Sequence, residues 1–181
     1  MSIDDNNREL FEQYYGDPEN QALIAEQNAL QQQMSNLQNL KDRMEPSPTY
    51  FIEQLKLHVE LLKLNCRMLE LEELSQQRHP AAQKKPAEYW AAVHLFNRQN
   101  LDFMEKSLAL EQEKAAVTDQ RDKQRVVLRQ AIVDRDFHQA KLDFHETTGE
   151  TNSSDYENAR EYLIEDQAKI DALEKEFEEQ P

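Results

Sequence analysis

Two glycines, Gly16 and Gly149, are all that 181 residues contain, and there is one cysteine and no long apolar run. Each shortage excludes something. Neither glycine lies in a G-x-G or P-loop setting, so no backbone cradle for a phosphate is encoded. Scarce glycine also argues against a fold built on many tight turns. Cys66 has no partner within the chain, which rules out an internal disulfide and suits a reducing compartment. No window of about 18 apolar residues exists, the length a membrane-spanning helix needs. The opening MSIDDNNREL is acidic, unlike a basic leader, so the sequence predicts an intracellular protein, cytoplasmic in the first instance. Basic residues are also short. Lys and Arg number 21 against 36 Asp and Glu, a net charge of -15, which argues against nucleic acid and anionic membranes as partners.

What remains is rich in Ala, Leu, Glu, Gln, Lys and Arg, and six prolines (18, 46, 48, 80, 86 and 181) divide it into long stretches. That is the composition of long helices. A short amphipathic segment, residues 1–17, stops near Gly16, where Asp17-Pro18 supplies a cap and a first-turn proline. Leu23, Leu30, Leu37 and Met44 then recur every seven residues, an apolar stripe on a Gln- and Asn-rich helix. EPSPT ends it. The next helix, about 48–77, carries two apolar series. Ile52, Leu55, Val59, Leu62, Cys66 and Leu69 form one, and Leu57, Leu61, Leu64, Met68 and Leu71 the other. A helix apolar on two faces needs cover on both, so it is expected to be central. Cys66 belongs to the first series and reads as a small buried apolar residue.

After the connector QQRHPAAQKKPAE nothing breaks the helical pattern from Pro86 to Thr148, a span predicted as one helix of about 60 residues, ~90 Å long at ~1.5 Å per residue. Its first half places Val93, Phe96, Phe103, Leu110 and Val117 in a seam. Its second half places Val126, Val133, Phe137, Ala140 and Phe144 in another, out of phase with the first, so the halves are expected to face different neighbours. Between them residues 112–125 hold only Ala115, Ala116 and Val117 as apolar residues, a place for a bend. A last helix begins after TGETNSS with Ser153 or Ser154 as cap. An antiparallel hairpin sets Phe144 near Tyr156, Phe137 near Leu163 and Val126 near Leu173 or Glu174.

The stretch DRDFHQAKLDFHE, residues 134–146, repeats Asp-Phe-His seven positions apart. His138 and His145 lie ~10.5 Å apart along one helix at ~1.5 Å per residue, too far to share a metal whose ligands sit ~2 Å from it. Asp134 and His138, spaced i, i+4, supply two ligands at most. No histidine follows a glutamate by three residues, the spacing of carboxylate-bridged bundle metalloenzymes. There is no serine-elbow motif, and paired acids such as Glu72-Glu73 are ordinary on a helix surface. The reading is therefore a repeat of packing. No catalytic residue, cofactor or metal is expected.

The sequence thus predicts an all-α, elongated antiparallel bundle. Residues 18–118 make a three-helix bundle, and residues 119–181 a coiled-coil hairpin whose acidic last helix carries eleven acids from residue 150 against Arg160, Lys169 and Lys175. Two helices bury little, so the hairpin is expected to need another chain, or its own copy, to cover Leu128, Ile132, Leu142, Tyr162 and Ile164. The one-sided first long helix offers Leu23, Leu30 and Leu37 as a second docking face. The expected function is a scaffold or adaptor subunit that binds other proteins, or itself, by helix packing. A different class is an acidic chaperone for a basic client: the tail EDQAKIDALEKEFEEQP resembles the glutamate-rich C-termini of some bacterial secreted effectors. A bundle metalloenzyme ranks third.

Overall fold

The computed structural model describes residues 3–179, with side chains from Arg8 to Glu178, and every regular element among them is an α-helix. In chain order these are α1 (Ile3–Gly16), α2 (Pro18–Asp42), α3 (Tyr50–Arg78), α4 (Ala87–Ala116), α5 (Gln120–Thr148) and α6 (Ser154–Glu179). Local chemistry sets most of the ends. Asp17 is extended and its carboxylate accepts from the Glu19 amide at 2.8 Å, with Pro18 in the first turn where no amide is needed. Ser153 caps α6 through the Tyr156 amide at 3.2 Å. Gly149, at φ 76°, ends α5 in the left-handed conformation, and the Glu150 amide reaches back to the His145 carbonyl at 2.9 Å. The expected start near Pro48 falls in a turn instead, and α3 begins two residues later behind Thr49.

The largest correction concerns the helix expected to run unbroken from Pro86 to Thr148. It is two helices. The chain leaves α4 at Val117, and Asp119 starts α5 by accepting from the amides of Arg121 at 2.8 Å and Asp122 at 3.1 Å. The break falls in the apolar-poor stretch, where neither seam supplies packing to hold a continuous rod together. Beyond it the chain reverses. Phe96 stacks on Phe144 at 4.9 Å, Phe103 meets Phe137 edge-on at 6.0 Å, Ser107 bonds Gln130, and Glu113 pairs with Arg129. As residue numbers rise on α4 they fall on α5, so the two are antiparallel.

The α2–α3, α3–α4 and α5–α6 joints are antiparallel as well. Among the described residues, each substantial helix contact joins neighbours in sequence, and α2 and α4 share none comparable to what each makes with α3. The helices thus form a row one helix thick, with α3 between α2 and α4, rather than closing residues 18–118 into a three-helix bundle. The two-faced pattern of α3 is thereby explained. Met68 and Leu71, with Leu64 beside them, pack on Leu23, Leu30 and Met34 of α2. On the other side Leu55 lies beside Met104 of α4, Asn65 bonds Asn97 at 2.9 Å, and Glu73 bonds His94 at 2.7 Å. At the row's first end, buried Tyr14 of α1 places its hydroxyl 3.2 Å from Ser75, and its carbonyl accepts from buried Asn20. Trp90 is buried as well. Its indole N–H donates to Gln76, whose side-chain oxygen also accepts from the Lys85 amide, and this ties down the α3–α4 connector.

Leu71 and Leu74 are one turn apart on α3 yet 2% and 44% exposed. Leu71→Ala is expected to cost about 2–5 kcal/mol and Leu74→Ala well under half as much. Urea denaturation of the two variants measures this, and equal losses would contradict the burial described.

Candidate functional site

The helix that carries the repeated Asp-Phe-His is built to serve two neighbours. On α5, Phe137 and Phe144 turn toward α4, as the stacks on Phe96 and Phe103 show, whereas His138 and His145 turn toward α6. This corrects the expected pairing of both phenylalanines with α6. Consecutive residues on a helix point ~100° apart, so one Phe-His dipeptide can serve two adjacent helices, and a seven-residue repeat does so twice. His138 Nδ1 lies 2.7 Å from Asp166 Oδ2 while its ring stacks on Tyr162 at 5.1 Å. His145 is buried, with Nδ1 lacking a hydrogen bond, 3.8 Å from Glu150 and edge-on to Tyr156.

Next to these lies a polar chain that joins α5 to α4. Gln130 Nε2 donates to Ser107 Oγ at 3.0 Å and to Asp134 Oδ1 at 2.7 Å. The Asp134 carboxylate, an acceptor, fixes which way the amide points. Gln130 Oε1 is then buried without a partner, an arrangement that costs on the order of 1–3 kcal/mol. Asp134 is pushed above the usual carboxylate range, chiefly by burial and further by Asp166, against the Gln130 hydrogen bond, Lys169 and His138. A cavity of about 280 Å³ opens beside it, lined by Phe51 and Leu55 of α3, Met104, Ser107 and Glu111 of α4, and Gln130 and Asp134 of α5. No hydroxyl or thiol is bonded to His138, so the His138–Asp166 pair acts as a bolt between α5 and α6. Asn65–Asn97 and Glu73–His94 play the same part between α3 and α4, and Ser107–Gln130 between α4 and α5. A polar pair among apolar residues fixes which turn meets which, because any slip strands its groups unbonded.

The eight side chains expected to face partners divide three ways. Leu23 and Leu30 are core residues against α3, and Leu142 is buried too, so these three are not on offer. The cause is the same in each case: a stripe that looked one-sided in sequence already has a neighbour within the chain. Leu37, Leu128 and Ile132 are half-buried, and Leu128 lines a cleft with Arg125, Glu174 and Phe177. Tyr162 and Ile164 are open to solvent, 51% and 71% exposed. Sequence reading did not single out Phe51 and Leu95, 58% and 59% exposed. The signal was available for Leu95, which falls outside the series Val93, Phe96, Phe103.

Beside Leu95 lies an apolar groove between α4 and α5, about 350 Å³ in volume. Its sides come from Ala91, Ala92, Leu95 and Phe96 on α4 and from Ala140 and Phe144 on α5, with Glu88, Gln99, Asp143 and Thr147 around them. Alanine at 91, 92 and 140 leaves the hollow, and the Phe96–Phe144 stack spans the helices beneath. Cys66 is half-buried and its thiol is raised mainly by burial, then by Glu70, with Arg98 opposing. It is no activated nucleophile. Among the described residues, no group of three or more His, Cys, Asp or Glu side chains is placed to hold a metal ion, and no helix is long and apolar enough to cross a membrane. No protein-family model, curated protein or solved structure matches the chain, so function must be argued from this geometry.

Two measurements follow. Because the folded chain holds the Asp134 proton to higher pH than the unfolded chain does, stability falls as pH rises through that window, and the full cost is present at neutral pH. Asp134→Asn keeps an acceptor for Gln130 and should raise the melting temperature at pH 7, with the gain shrinking toward pH 4; a loss at pH 7 would contradict the burial cost. Cys66 should react with iodoacetamide several-fold more slowly in the native protein than in urea, where free-cysteine rates should return.

Proposed function

We propose that the chain is a non-catalytic helical interaction subunit, a scaffold or adaptor that binds other proteins by packing helices against its row. The observation that carries this reading is the thinness of the row together with what it leaves uncovered. A layer one helix thick has two broad faces, and most domains cover one of them with a second layer. Here Phe51, Leu95 and Ile164 stand more than half exposed among charged residues. Cross-helix bolts hold a fixed register, so the exposed side chains are presented at set spacings and a partner meets a preformed surface. His94 and His138 are used in joining helices, through Glu73 and Asp166, and among the described residues no nucleophile, base and orienting group of the kind catalysis needs are bonded together.

The acidic-chaperone reading keeps one observation in its favour. Glu157, Glu161, Glu165, Asp171, Glu174, Glu176 and Glu178 are all exposed on α6. The two readings differ in what salt does. Attraction between exposed charges is screened within ~3 Å at 1 M salt, whereas apolar packing persists.

The full-length tagged chain should retain a stoichiometric partner when captured from its native cells, and the partner should survive a wash in ~0.5 M salt. A triple variant, Phe51→Ser, Leu95→Ser and Ile164→Ser, should lose it while melting normally, since all three side chains are exposed. A partner equally retained by the variant, or released by salt alone, would contradict docking through apolar faces.

A further inference from the structure

The α4–α5 groove has a chemistry specific enough to name its occupant, an inference that rests on the interaction reading above and deepens it. The hollow is apolar along its length and the two ionisable side chains that line it, Glu88 and Asp143, are both acids. The Glu88 side chain makes no ion pair or hydrogen bond among the described residues, and the Asp143 carboxylate accepts only from Gln139 at 2.8 Å. An apolar slot flanked by uncompensated carboxylates favours an apolar side chain that arrives with a cation nearby, because each charge then gains a partner at the moment it loses water.

The shape selects the backbone that carries these groups. From Ala91 to Gln99 the groove follows two turns of α4, ~12 Å at ~1.5 Å per residue, which matches apolar residues at i and i+4 or i and i+7 of a docked helix. No strand exists among the described residues, so there is no sheet edge for an extended peptide to join. A second copy of this chain is a poor occupant. Its net charge is -15, and of its bases Arg78 is already paired with Asp17 and Glu19, Arg125 with Asp122 and Arg129 with Glu113.

We propose that the α4–α5 groove is the docking site for a basic amphipathic helix of another protein, which seats one or two leucine- or phenylalanine-sized side chains between Ala91, Leu95 and Ala140 and sets Lys or Arg against Glu88 and Asp143. Phe96 and Phe144 form the floor, already stacked before the partner arrives.

The test uses the full-length chain and a fluorescein-labelled 21-residue peptide of three Leu-Lys-Lys-Leu-Leu-Lys-Leu repeats, followed by anisotropy. Its counterpart has every Lys replaced by Glu. Ala91 is exposed, so Ala91→Trp fills the groove from the solvent side without disturbing the core; circular dichroism and melting confirm that the variant folds. The basic peptide should bind at least about tenfold more tightly than the acidic one, and Ala91→Trp should weaken it by about tenfold or more. Glu88→Gln combined with Asp143→Asn should weaken it several-fold and flatten its salt dependence. Equal binding by Ala91→Trp and the unaltered chain would place the peptide elsewhere on the acidic surface and overturn the proposal, as would equal binding of both peptides. Sedimentation adds a third arm: a dimer that Ala91→Trp converts to monomer gives the groove to a second copy and also overturns it. The interaction reading is judged separately by the triple variant. If that variant loses its captured partner while Ala91→Trp leaves peptide binding unchanged, the groove assignment alone fails.

Discussion

Three residues, Val117, Thr118 and Asp119, decide the shape of this protein. With a continuous helix there, α4 and α5 would form one rod of ~90 Å, and each would need a different outside neighbour. Because Asp119 satisfies two orphan amides at the start of α5, the chain leaves one helix and enters the next without stranding polar groups. The reversal lays the aromatic seam of α5 on that of α4. What would have been two unmatched apolar faces becomes one interior, and the groove beside Leu95 exists only because the two helices meet.

Once α5 is committed to α4 on one side and α6 on the other, its sequence has little freedom. The repeat of Asp-Phe-His satisfies both sides at once, with Phe137 and Phe144 toward α4 and His138 and His145 toward α6. Asp134, between the two contacts, is the residue left worst off. Burial disfavours its charge, and the amide it holds in place leaves an oxygen unbonded. A side chain that costs stability while fixing register is the pattern expected where specificity of packing matters more than its strength.

Much of this was legible in the residues. Scarce glycine, the proline positions and the three-and-four alternation located the helices, and the caps at Asp17 and Ser153 and the stop at Gly149 fell where side-chain chemistry put them. The two-faced pattern of α3 correctly required a neighbour on each side. Two features were not fully legible. Periodicity reports that a face is apolar but not which element covers it, so Leu23, Leu30 and Leu142 read as open when neighbours in the chain cover them. And the break at residue 117 was legible only as a place for a bend, in a stretch poor in apolar residues with no glycine or proline to mark it. Its cause is a lack of packing on either side together with one well-placed aspartate, and aspartate is common on any helix surface. The groove beside Leu95 was invisible for a related reason: a hollow depends on what is missing from two helices at once.

The reversal at residue 117 is the claim on which the groove, the row and the partner surface all rest, and a distance measures it directly. Spin labels placed at Leu95→Cys and Thr147→Cys, in a Cys66→Ser background, sit on exposed positions that line the same groove. Helices in contact lie ~8–10 Å apart, so pulsed dipolar spectroscopy should report a short, narrow distribution below about 25 Å once the label arms are included. A distribution centred near ~80 Å, the separation of these positions along an unbroken helix, would contradict the account.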